Sequence, residues 1–543
     1  MSEQLTPTDD STAMLDALIV GAGFGGLYQL HCLRDRLGLS TLALEAGEGV
    51  GGTWYWNRYP GARCDSESHA YCYSFSPELT QEWEWSERYP GPVEILRYLN
   101  HVADRFSLKS HIRFNTRVTA GNYDEQHNCW QVQTESGEHY RARYLITAVG
   151  CLSSANVPDI EGLSDFAGNW YHSGQWPRDG VDFSGLRVGQ IGTGSTGIQA
   201  APVIAEQAAH LTVFQRTANY SVPARNGPLT DEVRRQQRAE APAIRDIMHT
   251  NTNGHPWTID PRKALDTSAE QRQAIYEKAW QVGGLKFRSA FADLLVSKEA
   301  NDTAARFIRD KISEIVDDPE TARVLSDIDH PYGAKRPPID THYFETFNRD
   351  NVSLVDLKRE PIECITERGI RTASREYEID AIFFATGFDA MTGTLLRMNI
   401  TGRNNCKLAD AWSAGPSNYL GLQIAGFPNL FTVTGPGSPS VLCNMPVAIE
   451  QHVEWITDCI DYMNTHGNQV IETTDEAAQG WVAEVNAAAG ATLLADVKHS
   501  WYLGANVPGK PRVFMPYAGG MARYRRICDE VASDGYRGFV FKA

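Results

Sequence analysis

What this chain of 543 residues lacks narrows its possible work before any motif is read. Its ten cysteines, at positions 32, 64, 72, 129, 151, 364, 406, 443, 459 and 528, contain no Cys-x-x-Cys pair and no metal-type spacing. That argues against a dithiol redox centre or a metal site, and reduced, mostly buried thiols are expected. No apolar run approaches the roughly 18–20 residues that span a bilayer. The stretch Met1 to Met14 is polar and has no basic-then-apolar leader pattern, so a cytoplasmic protein is expected. A cationic surplus is also missing: 50 Lys and Arg face 67 Asp and Glu, a net charge of −17. That balance speaks against nucleic acid or an anionic membrane as partner and mainly serves solubility. A monomer or weak oligomer acting on a small molecule is expected.

What is present is ordinary in bulk and specific in detail. Hydrophobic content of 42% and charged content of 22% are those of a globular protein, and the length calls for two or three domains. Asp16-Ala-Leu-Ile-Val20 reads as a strand ending in Gly21-Ala-Gly23-Phe-Gly25-Gly26, followed by leucines at helical spacing. A second strand, Thr41 to Leu44, ends at Glu45, 24 positions after Gly21. This strand–loop–helix–strand–acid order is a dinucleotide-binding unit: the glycines let a pyrophosphate approach the helix N-terminus, and the acid suits free ribose hydroxyls. A second unit runs from Arg187-Val-Gly-Gln-Ile191 through Gly192-Thr-Gly194-Ser-Thr-Gly197 and a helix to Leu211-Thr-Val-Phe-Gln215. It ends on Arg216 where the first ends on Glu45. An arginine there suits a 2′-phosphate, so the second unit is expected to hold NADPH and the first an unphosphorylated adenosine.

Between and beyond these units lie segments with less certain roles. Gly49 to Asp65 combines a glycine pair with aromatics, as a backbone lying against a flat cofactor would; Arg63 and Asp65 fit either a ligand or surface ion pairing. A helix over 93–106 should bury Val93, Leu96, Leu99, Val102 and Phe106. Residues 228–330 read as a helical insertion, with Ser268-Ala-Glu-Gln271 as a capping box and Asp318-Pro319 as a helix start. The Lys335-Arg336 pair beside prolines is ordinarily a solvated loop. An apolar strand closes on Ala385-Thr-Gly387, and a helix over 450–464 turns Val453, Ile456, Ile460 and Met463 inward. The fold expected is α/β: two Rossmann-like dinucleotide-binding domains with an inserted helical domain. The boundaries are 1–152 with 380–543 for FAD, 153–227 with 331–379 for NADP, and 228–330 for the insertion.

One aromatic stretch, Phe166-Ala-Gly-Asn-Trp-Tyr-His-Ser-Gly-Gln-Trp-Pro177, fits neither unit's pattern and reads as a connector between them. Phe166, Gly168, His172, Trp176 and Pro177 fill every fixed position of Phe-x-Gly-x-x-x-His-x-x-x-Trp followed by Pro or Asp. On this fingerprint the chain resembles the type I Baeyer–Villiger monooxygenases, over essentially its whole length and most nearly in their phenylacetone monooxygenase branch, then the cyclohexanone monooxygenases. The resemblance implies FAD and NADPH as cofactors. Gly21, Gly23, Gly25, Gly26, Glu45 and Val118 would hold the FAD pyrophosphate and adenosine. Gly52, Thr53, Trp54, Arg63, Cys64, Asp65 and Tyr71 would lie along the flavin, with Met445 opposite. Thr193, Gly194, Ser195, Thr196, Gly197, Ile198 and Gln199 would take the NADPH pyrophosphate, Arg216, Thr217 and Lys335 its 2′-phosphate end, and Trp501 its nicotinamide side. Arg336 would be the catalytic arginine and Asp65 its partner.

The implied reaction passes hydride from NADPH to FAD and O₂ to a flavin C4a-peroxide, which inserts oxygen beside a ketone carbonyl to give an ester or lactone. Sulfoxidation would be a side activity. A permanent guanidinium suits such an oxyanion chemistry. His172 has no proton to transfer in it and reads as a hydrogen-bonding post. A flavin disulfide reductase would need the missing cysteine pair. A flavin N- or S-hydroxylase usually lacks the Trp-Pro ending, and a non-catalytic redox sensor would not need Arg336.

Overall fold

The computed structural model describes residues 14–543; the polar start read above as lacking a leader lies, up to residue 13, outside them. Two sheets organise the chain. In the first, Met14–Val20 lies between Thr41–Leu44 and His139–Thr147, parallel to both, and Ile112–Arg113 closes one edge. The antiparallel meander Val118–Asp124, Cys129–Thr134 and His139–Thr147 extends the other side, as alternation in 112–150 suggests. Leu430–Thr432 then returns late in the sequence to pair with His139–Thr147.

The second sheet has five strands, all parallel, in the order Val352–Asp356, His210–Gln215, Arg187–Ile191, Ala381–Phe384 and Asn169–His172. Two expectations change here. Strand Ala381–Phe384 belongs to this second sheet, so a boundary at 379/380 cuts through the unit; the chain leaves the sheet only after Phe384. The aromatic stretch is also more than a connector. Asn169–His172 is the edge strand of the second sheet, and Trp176 packs on Phe183 and Phe383 in that unit's core. Its short length and mixed polarity, exposed at Asn169 and Trp170 and buried at His172, hid the strand period.

Residues 228–330 are helical as expected, with Asp231–Thr250, Ala269–Val282, Lys298–Ile315 and Pro319–Ser326. Ser268 accepts from the Gln271 amide at 3.2 Å and Asp318 from the Thr321 amide at 2.8 Å. Strands Val222–Pro223 and Ile339–Asp340 pair just outside the segment, so the chain returns to where it left. The insertion has no separate core: Trp280, Phe287, Phe307 and Ile308 share one apolar cluster with Ile204, Leu211 and Val213 of the second unit. Helix Pro92–Arg105 forms, but it buries Ile95, Tyr98, Leu99 and Val102, whereas Val93 is 74% exposed. The expected face holds at Leu99 and Val102 and fails in the first turn, where Ile95 turns inward in place of Val93. Helix Met445–Thr465 buries Val453, Ile456, Ile460 and Met463 as read. All ten cysteines are free and seven are buried. No helix of the described residues is long and apolar enough to cross a membrane.

Candidate active site at the meeting of two nucleotide loops

Each glycine loop leaves the C-terminal end of a parallel strand, where an open α/β sheet presents its ligand crevice. Gly21 has φ +103°, and a Cβ there would stand 2.6 Å from the Ala148 carbonyl oxygen; one on Gly26 would stand 1.8 Å from Gly21 O. The second loop repeats this geometry: Gly192 has φ +110°, and a Cβ on Gly197 would meet Gly192 O at 2.2 Å. Only glycine fits such positions, so both loops are held at the closeness a pyrophosphate needs. At Gly194 a Cβ would meet nothing within 4 Å, leaving the cradle open.

Both loops open into one cavity of ≈ 970 Å³. That is near the upper end for small-molecule sites, as two dinucleotides and a substrate require. It is lined by Gly23, Gly25, Gly52, Thr53, Trp54, Arg63, Cys64, Asp65, Tyr71 and Met445 from the first unit's surroundings. Thr193, Gly194, Ser195, Thr196, Gln199, Arg216, Thr217, Lys335, Arg336 and Trp501 complete the expected set on the wall. Six expected residues stand behind the wall. Gly21, Gly26 and Gly197 shape the loops, Ile198 is buried in the second core and Val118 in a cluster beneath the first sheet. Glu45 is buried, with its carboxylate accepting the Ala22 and Gly47 amides at 2.8 Å each. Burial raises its pKa despite those bonds. Glu45 therefore organises the loop from behind the cavity wall.

Arg336 and Asp65 meet as expected. Arg336 donates from Nε to Asp65 Oδ2 at 2.5 Å and from Nη2 to Oδ1 at 2.8 Å, a bidentate pair, and from Nη1 to Val441 O at 2.6 Å. Burial opposes charge on both, but each partner outweighs it, so Asp65 is held below the ordinary carboxylate range and Arg336 above its own. Arg63 resolves toward ion pairing: it donates to Glu87 at 2.7 Å while still touching the cavity. Trp54 donates to the Tyr71 hydroxyl at 3.1 Å, setting one aromatic wall. Arg216 is exposed and Lys335 half-buried, and each faces the other's charge. Burial lowers the Lys335 pKa, and Arg216 lowers it further against the pull of Asp329. Two cations therefore line one wall of the cavity in an otherwise acidic protein.

Some roles escaped sequence reading, while others were extended by the structure. Gln190, a polar residue inside the otherwise apolar end of strand Arg187–Ile191, is fully buried and donates to Gly192 O at 3.2 Å and Gly197 O at 3.1 Å, tying the second loop closed. Its polarity was the available signal. Gln199 donates to Arg63 O at 3.0 Å and accepts from Tyr59 at 2.8 Å, so it joins the two units as well as facing the cavity. His255, from the helical insertion, is buried near Asp65 and Arg336. Burial and then the Arg336 charge push its pKa down to about 3, so it is neutral. His172 is also buried; its Nδ1 accepts the Gly174 amide at 3.1 Å, and burial lowers its pKa.

Two glycine cradles opening on one cavity, with a carboxylate-paired guanidinium on its wall, are the arrangement of a two-nucleotide flavoprotein of the monooxygenase type. A family model described as pyridine nucleotide-disulphide oxidoreductase matches residues 18–240. The chain is 44% identical to a 2-oxo-Δ3-4,5,5-trimethylcyclopentenylacetyl-CoA monooxygenase of Pseudomonas putida, over 97% of this chain and 98% of that one. It is 42% identical to a Baeyer–Villiger monooxygenase of Pseudooceanicola batsensis, over 99% and 98%. A solved structure of an oxidised steroid monooxygenase bound to NADP shares 52% identity and superposes with a TM-score of 0.93, covering 98% of this chain and 100% of that one. The chain belongs to the Baeyer–Villiger monooxygenase family.

Proposed function

We propose that Arg336, held by Asp65 where the two nucleotide cradles meet, is the group on which oxygen insertion turns. The protein is an FAD- and NADPH-dependent Baeyer–Villiger monooxygenase that converts a ketone and O₂ into an ester or lactone. The glycine cradles, whose geometry leaves no room for a side chain, and the Arg216–Lys335 pair fit these cofactors. When bound, FAD supplies the activated oxygen and NADPH the electrons.

This chain's residues supply the rest. The first unit, to about residue 152 with the chain after Phe384, holds FAD. The second, from 153 to 227 and 331 to 384, holds NADPH. Arg216 and Lys335 bind the 2′-phosphate, which distinguishes NADPH from NADH. Of the five guanidinium N–H groups of Arg336, two go to Asp65 and one to Val441 O, leaving one on each Nη. These remaining donors stabilise negative charge gathering on the ketone oxygen as its carbon becomes tetrahedral. Asp65 fixes their aim and, being ionised, takes no proton. His255, which faces the Arg336 charge, is neutral, in keeping with a carbon migration that asks no side chain for a proton. Trp54, Tyr71, Met445 and Trp501 keep bulk water from the reacting atoms.

The single observation that carries this reading is the bidentate Arg336–Asp65 pair on the shared cavity wall. Arg336→Ala should still bind flavin and let NADPH reduce it, while ester formation falls by about a hundredfold or more, the scale of losing one oxyanion donor. Stopped-flow flavin bleaching with product analysis checks both halves. Ester formation surviving in that variant would assign the role elsewhere.

A further inference from the structure

A threonine in the left-handed conformation stands on the cavity wall. Thr434 follows strand Leu430–Thr432, lines the cavity and is buried, with φ +56°. Among the described residues it is the only β-branched one with positive φ. That conformation is costly for such a side chain and persists only where the surroundings over-determine it. The turn belongs to the first unit's side of the cavity. A Cβ on Gly25 of the first glycine loop would stand 3.1 Å from Val433 Cγ1, so the turn packs directly on the cradle assigned to FAD.

Two fully buried side chains hold this turn from behind. His452, on helix Met445–Thr465, accepts the Thr434 amide on Nδ1 at 2.8 Å, and its Nε2 lies 2.9 Å from the Tyr524 hydroxyl. Tyr524, on the C-terminal helix Met521–Ser533, donates to the Leu420 carbonyl at 2.6 Å. One placement of protons satisfies all three bonds. Nδ1 offers its lone pair to the amide, so the neutral ring carries its proton on Nε2. Tyr524 accepts from that N–H and donates its own proton to Leu420. Burial, then the Arg525 charge, pushes the His452 pKa down to about 3, so the ring keeps this form. Leu420 is itself left-handed, with φ +59°, and fully buried. The relay thus clamps a strained residue at each end. Met445 and Ile449 of the same helix line the cavity, whereas His452, one turn further on, stands behind its wall.

We propose that His452 is a positioning residue of the flavin site: through the Thr434 amide it holds the Val433–Thr434 turn against the first glycine loop and so sets how firmly the flavin is gripped. Tyr524 brings the C-terminal helix into the same hold. This rests on the first unit being the one that binds FAD.

The test is a double-variant cycle on the purified holoenzyme, read as the rate at which free FAD fluorescence appears on dilution. Glycine adopts the left-handed form without strain, so a hold on residue 434 should matter only while threonine is there. His452→Leu should speed flavin release about tenfold, the scale of leaving one buried amide without its acceptor. In the Thr434→Gly background the same change should speed it about twofold or less. His452→Asn, whose Oδ1 can take the amide in place of Nδ1, should recover most of the loss, and Tyr524→Phe should show a smaller one. Equal acceleration by His452→Leu in both backgrounds, or none in either, overturns the proposal, because the histidine would then be packing alone. If His452→Leu does not fold, Tyr524→Phe carried through the same cycle decides between the same outcomes. The cycle appearing in KM for NADPH while flavin release stays unmoved would overturn the proposal together with the assignment of FAD to the first unit.

Discussion

Glu450 shows how much a single buried carboxyl holds in this protein. It sits on helix Met445–Thr465 and accepts the Ser74 amide and hydroxyl at 2.5 Å each and the Phe75 amide at 3.0 Å. It thereby anchors the segment that follows Tyr71 on the cavity wall. Burial pushes its pKa up to about 7 against the pull of the Ser74 and Phe75 bonds, and Glu454 on the same helix adds to the rise. Tyr28 donates to Glu454 at 3.2 Å, while the Cys72 and Tyr73 that face Glu450 stay neutral because burial raises both. The folded protein therefore holds a proton that the unfolded chain releases near its ordinary value of 4.5. Between about pH 4.5 and 7 the unfolded state binds fewer protons, so this group's contribution to stability falls as pH rises and levels off above about 7. Glu450→Gln keeps an acceptor for the amides but cannot titrate. Urea midpoints at pH 5 and pH 7.5 should drop by less in the variant than in the wild type; equal drops would refute the assignment.

The two glycine loops are the elements that separate the cofactors, and they allow a paired test. Gly26→Ala would place a Cβ 1.8 Å from Gly21 O, and Gly197→Ala one 2.2 Å from Gly192 O. Each forces its own loop open and leaves the other untouched. The first variant should purify with much less flavin, read at its visible absorbance. The second should keep its flavin while KM for NADPH rises about tenfold or more. Reversed effects would exchange the two units' cofactors. These loops were legible in sequence because their constraint is local: a strand, glycines at fixed spacing and a helix occupy about 25 consecutive residues. Arg336 and Asp65 were legible only through family resemblance, since they are 271 positions apart and no pattern links them. The aromatic stretch was misread as connector alone because a four-residue edge strand shows too little alternation.

At the scale of the whole molecule the active site exists only while two separately folded sheets stay in register, since Asp65 comes from the first unit and Arg336 from the loop leading back into the second. One of the contacts between the two units runs through Gln199. Tyr59 donates to Gln199, Gln199 donates to Arg63 O two residues before Asp65, and Gln199 sits on the helix that opens from the second glycine loop. Gly61 lies inside the same joint with φ +74°, and a Cβ there would come 2.1 Å from the Gln199 carbonyl. A side chain at 61 cannot be absorbed by a rotamer change, because the obstacle is backbone on a helix; the two units must move apart. Gly61→Ala should therefore spare what each unit does alone, flavin retention and NADPH binding, and damage what they do together. The ratio of ester formed to NADPH consumed should fall several-fold, with the balance of reducing equivalents appearing as H₂O₂. Tyr59→Phe, which removes one hydrogen bond without adding bulk, should lower the ratio less. Measuring NADPH, ester and H₂O₂ on the same samples distinguishes this from ordinary loss of activity, in which ester and NADPH consumption decline in proportion. A proportional decline would mean that the joint holds the fold but does not tune the chemistry.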